Sequence, residues 1–218
     1  MGPSSMSSIA TESARREAER RRFTAMMLRS AELKRRLAES FADSVLAAVD
    51  LCETRLRAGG KLLFCGNGGS AADAQHLAAE LLVRLRSRIE RPSWPALSLA
   101  LDPSTLTALG NDYGYEEIFA RPLRGLGRKG DVLFAITTSG RSPNVVQALK
   151  AAREIGVASI GLLGGEGEPA ASLCDLKLLV PDSETARVQE CHIALGHAIM
   201  ELLEDRLVAL PIDAAAPG

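Results

Sequence analysis

Aromatic residues make up only 4% of this 218-residue chain, too few for the stacking platforms that hold single-stranded nucleic acid. Charge of one sign is equally scarce. Lys and Arg number 26 against 27 Asp and Glu, and a formal net charge of −1 gives neither a nucleic acid nor a membrane surface anything to attract. No apolar run approaches the ~18 residues that a membrane span needs, and no secretory leader is legible. The four cysteines, Cys52, Cys65, Cys174 and Cys191, lie far apart and lack CxxC spacing. They are expected as buried free thiols in a reducing cytosol. The length suits one domain with a full core, and two would be cramped.

What is present is rhythm. Residues 1–10 read as a cloning remnant or disordered leader, and 11–60 as helix without proline. Phe23, Met26, Met27 and Leu28 form a first apolar cluster there; Val45, Val49, Cys52 and Leu56 form a second. A break between Ser30 and Ala38 is expected to make two helices, the second ending at Gly59-Gly60. The apolar surplus of this segment is more than one small sheet needs, which suggests a subunit interface. From Lys61 short apolar runs alternate with amphipathic stretches. Strands are expected at 61–65, 95–102, 131–137, 157–163 and 176–181, and helices at 70–86, 103–112, 142–156 and 185–208. That alternation predicts an α/β fold, a three-layer αβα sandwich around a five-stranded parallel sheet, preceded by the N-terminal helices. The single domain should run from 11 to 210, with 211–218 a flexible tail.

Two turns carry the chemical signal. GNGGSA (66–71) and TTSGRS (137–142) each follow a strand and open a helix, and they supply backbone N–H groups and hydroxyls for an oxyanion. Gly66, Gly68 and Ala71 also satisfy the spacing of a dinucleotide-binding turn. The acidic residue that such a site needs about 20 positions on is missing, since Glu90 precedes the second strand and Asp102 comes too late. In the preferred reading Gly68 and Gly69 let the backbone approach an anion, and Asn67 and Ser70 add side-chain hydrogen bonds. The second turn offers Thr137, Thr138, Ser139 and Ser142. Ser142 is also expected to cap the following helix, but capping needs one hydroxyl and four are present.

The helices add candidate ligands. His76, Glu80 and Arg84 stand at i, i+4 and i+8 of the 70–86 helix. His76 and Glu80 can share a metal or act as an acid–base couple; alternatively Glu80 and Arg84 form a plain surface pair. On the last helix His192 and His197 are about 140° apart, so only one of them can face a given site. Gln189 and His197 are separated by roughly 12 Å along the axis, so they serve one ion only if Gln189 sits at or before the helix start. Asp112 and Asp73 are further carboxylates near the carboxyl edge of the sheet.

Taken together, GNGGSAADAQH (66–76), GNDYGYE (110–116), TTSGRSPNVVQA (137–148) and VQECHIALGH (188–197) closely resemble the phosphoheptose isomerases of the sugar isomerase (SIS) domain superfamily. The resemblance runs from about residue 20 to 208. It implies a cytoplasmic homotetramer, with pockets at subunit interfaces, that interconverts sedoheptulose 7-phosphate and D-glycero-D-manno-heptose 7-phosphate through a metal-stabilised enediolate. That reaction begins heptose synthesis for lipopolysaccharide. It further implies one Zn2+ per subunit on His76, Glu80, Gln189 and His197, with Glu80 and His197 catalytic. The substrate would be bound by Asn67, Gly68, Gly69, Ser70, Asp112, Thr137, Thr138, Ser139, Ser142 and Gln189. Two departures stand out: Thr137 replaces a common Ser, and Ala186 replaces a Pro three residues before Gln189. A non-catalytic relative that binds the replication initiator lacks the Glu at position 80 and the last His; this chain has both.

Overall fold

The computed structural model describes residues 3–100 and 102–211, with side chains from residue 12 onward. Residues 1–2 of the expected leader and 212–218 of the expected tail lie outside that range. The chain divides into two units, Met1–Glu39 and Ser40–Gly218.

The first unit is the body of helix α1 (Pro3–Ser40). It starts inside the stretch set aside as a leader. Its side chains are exposed from Glu12 to Arg29, and exposed Glu–Arg pairs one turn apart, such as Glu12 with Arg16 and Glu17 with Arg21, support it locally. Phe23, Met27 and Leu28 are exposed on the same helix. The break to α2 (Ala42–Arg57) falls at Phe41, later than the expected 30–38, where periodicity alone carried no marker of an end. α2 buries Val45, Ala48, Val49, Cys52 and Leu56, one stripe at helical spacing, and ends at Ala58 and Gly59.

The second unit is built on five parallel strands: β1 (Leu62–Gly66), β2 (Ala96–Ser98), β3 (Val132–Thr137), β4 (Ala158–Gly164) and β5 (Leu176–Val180). Their order is β2-β1-β3-β4-β5. β1 and β3 are buried throughout, because helices cover both faces. Successive side chains serve opposite faces. Leu63, Cys65, Leu133 and Ala135 pack with Phe119, Leu123, Val145 and Leu149 of the helical layer formed by α5 (Ala120–Leu126) and α6 (Pro143–Ile155). On the other face Phe64 stacks on its register partner Phe134, centroids 4.9 Å apart. β2 is shorter than expected: the chain leaves the sheet after Ser98, and Asp102 caps α4 (Pro103–Asp112) by accepting from the Ser104 N–H at 3.0 Å.

α3 (Gly69–Leu82) and α7 (Thr185–Ala209) pack against each other, with α2 beside α7. α3 stops four residues before the expected end. Arg84 is therefore off the helix and pairs with Glu90, so the Glu80–Arg84 surface pair does not form. All four cysteines are free thiols as expected, but only Cys52, Cys65 and Cys191 are buried and Cys174 is half-buried; burial pushes Cys65 and Cys174 up to about 12.

Candidate functional site

Strand order reverses at β1, with β2 on one side and β3 on the other. In open parallel sheets ligands bind beyond the carboxyl ends of strands at such a reversal. β1 and β3 are in register to their ends, with Gly66 opposite Ile136, so the GNGGS and TTSGRS turns emerge side by side. In the first turn Gly68 takes φ +55°, a backbone conformation open to glycine, and caps α3. Ser70 is buried with its N–H on the Asn67 carbonyl at 3.0 Å.

In the second turn the hydroxyls divide their work. Thr137 is buried and shares a hydrogen bond with Ser142 at 3.1 Å. Ser142 holds the N-cap position of α6 but makes no side-chain cap, which corrects the expected capping role; its hydroxyl is spent on Thr137. Ser139 Oγ accepts from the Arg141 N–H at 3.2 Å. Thr138 and Ser139 line a cleft of ≈ 420 Å³ with Arg141, Gly164, Gly165, Glu166, Ser183 and Thr185. Gly140, at φ +69°, lies so close to Gly167 that an added Cβ would fall 2.0 Å from its carbonyl oxygen.

The ligand candidates meet where α3 and α7 cross. Gly196 makes the crossing close: a Cβ there would lie 2.7 Å from Leu77 Cδ1. The neighbouring His197 thus reaches His76, their Nε2 atoms 2.8 Å apart and their rings at 84°. His76 Nε2 also lies 3.1 Å from Glu80 Oε1. Among the described residues these three are the group of His, Cys and carboxylate side chains whose ligand atoms all fall within 4.8 Å of one another. Two imidazole nitrogens facing each other can share one proton at most. A divalent cation satisfies both lone pairs and the carboxylate together, and two histidines with a glutamate are a familiar set for catalytic zinc.

Gln189 sits in the second turn of α7, past the helix start, so the stated condition for its reaching the same ion as His197 is not met by position alone. It lies against Gly69 and donates from Nε2 to Asp73 Oδ1 at 2.7 Å. Asp73 is 5% exposed and its Oδ2 has no hydrogen-bond partner among the described residues. Burial raises its carboxyl above the ordinary range, opposed by the Gln189 bond and the nearby imidazoles of His76 and His197. His192 faces the other way and is fully buried. Asp112 closes α4, exposed, and is held by Asn111 Nδ2 at 2.7 Å.

Asn144 and Tyr115 were not singled out from the sequence. Asn144 is fully buried and exchanges two hydrogen bonds with Asn67, which also accepts from the Tyr115 hydroxyl at 3.0 Å. The signal for Asn144 was an amide directly after Ser142-Pro143 on the face of α6 that turns inward.

Residues 27–164 match the family model of the SIS domain. The chain is 50% identical over 182 residues to the phosphoheptose isomerase of Chlorobaculum parvum, covering 83% of this chain and 87% of that one. The solved phosphoheptose isomerase of Neisseria gonorrhoeae superposes with a TM-score of 0.80 at 41% identity, covering 85% of this chain and 98% of its own. That of Francisella tularensis gives 0.82 at 33% identity, covering 86% and 98%. The chain belongs to the SIS domain proteins and, among them, to the phosphoheptose isomerase family.

Proposed function

We propose that this chain isomerises sedoheptulose 7-phosphate and D-glycero-D-manno-heptose 7-phosphate. The observation that carries the reading is the convergence of His197 of α7 with His76 and Glu80 of α3, the helix that grows out of the first donor-rich turn. The relatives are named for this activity, and the cluster supplies a carboxylate and two imidazoles of the kind that such chemistry uses.

An aldose–ketose isomerisation moves a proton between C1 and C2 through a cis-enediolate. It needs a tether for the substrate, a base at carbon and an acid for oxygen. Thr138, Ser139 and the first N–H groups of α6 tether the phosphate, whose charge suits a helix N-terminus. Asn67 and Ser70 hold sugar hydroxyls from the first turn. Zn2+ held by His76, Glu80 and His197 would supply Lewis-acid polarisation of the sugar carbonyl; Gln189, the fourth ligand that the resemblance implies, lies past the start of α7 and is bonded to Asp73. Glu80 takes the proton from one of the two carbons and returns it to the other, while His197 gives a proton to the carbonyl oxygen and recovers one from the neighbouring hydroxyl. A single carboxylate can serve as ligand and base because its two oxygens differ: Oε1 faces His76, while Oε2 has no partner among the described residues. Asp73 is the alternative base.

The same reading places the protein in the cytoplasm as a homotetramer, with subunit contacts using Phe23, Met27 and Leu28, and makes its product a precursor of lipopolysaccharide heptose. Glu80→Gln and His197→Ala should each lower turnover of sedoheptulose 7-phosphate by at least about 10²-fold, with unchanged circular dichroism. Activity retained in both variants would remove the mechanism.

A further inference from the structure

The geometry points to Asn144 as a positioning residue that fixes which face of the Asn67 amide meets the substrate. The substrate class rests on the function proposed above; the pairing itself does not. Asn144 is the second residue of α6 and has no solvent exposure. One atom of its amide receives the Val145 N–H at 2.9 Å. A backbone N–H can only donate, so that atom is the oxygen, and the orientation of the Asn144 amide is set by chemistry.

Everything after that follows by elimination. Asn144 Oδ1 also accepts from Asn67 Nδ2 at 2.8 Å, and Asn144 Nδ2 donates to Asn67 Oδ1 at 2.8 Å. The two amides form a reciprocal pair that bridges the turn after β1 and the helix after β3. Asn67 Oδ1 takes a second hydrogen bond from Tyr115 Oη at 3.0 Å. Both lone pairs of that oxygen are therefore spent, while Nδ2 has used one of its two hydrogens. Asn67 is partly exposed and Asn144 is not. Two of the pair's four amide hydrogens are used between them and the second one on Asn144 is buried with its residue, so the pair leaves the second Asn67 N–H, and no acceptor, for the space between the two turns. A flipped Asn67 would set N–H against N–H inside the protein, which the buried partner forbids.

An amide held this way selects ligands with an acceptor oxygen at that point, as a phosphorylated sugar has, and rejects analogues that can only donate there. His76, Glu80 and His197 form a separate cluster on α3 and α7, so the contact acts on binding at a remove from the reacting carbons. Binding that is equal in ground and transition states changes KM and leaves kcat in place.

The decisive variant is Asn144→Asp. Its Oδ1 can still receive the Val145 N–H, but its second oxygen faces the Asn67 oxygen, and turning the Asn67 amide over only moves the oxygen–oxygen contact to Oδ1, so Asn67 is no longer held in one orientation. Asn144→Asp and Asn67→Ala should each raise KM for sedoheptulose 7-phosphate by about 10- to 100-fold, with kcat within about 2-fold. The double variant should be no worse than Asn67→Ala alone, because Asn144 acts through Asn67. Effects of the two that multiply, or a folded Asn144→Asp protein with wild-type KM, would overturn the inference. Side-chain amide signals in a 15N spectrum of the ligand-free protein decide the pairing independently. Three of the four amide protons of Asn67 and Asn144 should exchange slowly with solvent, and fast exchange at both residues would overturn it. Wild-type protein that leaves sedoheptulose 7-phosphate unconverted would overturn the proposed reaction while the spectrum still decides the pair.

Discussion

His192 and His197 stand five positions apart on α7 and have opposite fates. His197 meets His76 at the α3–α7 crossing, whereas His192 is fully buried and its ring nitrogens find no well-formed hydrogen bond among the described residues. Burial drives His192 down to about 4, only partly opposed by the nearby Leu163 backbone. The unfolded chain takes up this proton near pH 6.5 and the folded chain does not until near 4. Stability from this group is therefore complete above pH 6.5 and falls by about 1.4 kcal/mol per pH unit as pH drops through that window. Between pH 7 and 5, urea unfolding should show a loss of about 2 kcal/mol that His192→Met lacks. An identical loss in the variant would mean that His192 is not held neutral. The angular argument from the sequence separated these two histidines correctly, since helix geometry is local. It had no means of choosing between them, because that choice depends on which face α3 covers.

Among elements, the crossing of α3 and α7 decides whether His76, Glu80 and His197 meet. Gly196 is its contact point, and a larger side chain there would have to displace Leu77. Gly196→Val should lower stability by about 1–3 kcal/mol and lengthen the His76–His197 approach. Metal analysis after dialysis should then find less zinc per chain than in wild type; equal retention and equal stability would show the crossing to be slack. The end of α3 was misread for a related reason. The run Leu82-Val83-Arg84-Leu85-Arg86 keeps helical character in sequence, but partners distant in the chain pull it away. Arg86 and Arg91 both bind Glu204 of α7, at 2.7 and 2.9 Å, and Arg91 stacks over Trp94. Burial alone would raise the Glu204 carboxyl, yet the bonds from Arg91 and Arg86 outweigh it and hold it below the ordinary value. Ion pairs across more than 100 residues leave no trace in local periodicity. The strands were legible because their apolar runs are short, continuous and bounded by glycine or charge; only β2 was overdrawn, since Asp102 looked like a strand end and is a helix cap.

For the whole molecule, the five strands, their parallel order and the two turns at the β1–β3 reversal put anion donors at one edge of the sheet. The phosphoheptose isomerase relatives cover most of the chain, and the motifs that tie it to them fall at that edge or at the α3–α7 crossing. Asp112, expected at the site, is exposed at the end of α4, where its side chain accepts from its neighbour Asn111. The measurement that bears most directly on the account is the rate of sedoheptulose 7-phosphate isomerisation by chelator-stripped protein before and after zinc is returned. A loss of at least about 10²-fold on stripping, reversed by stoichiometric zinc, is the expected result. Full turnover by protein shown to be free of metal would contradict a cation at His76, Glu80 and His197 as the centre of the chemistry.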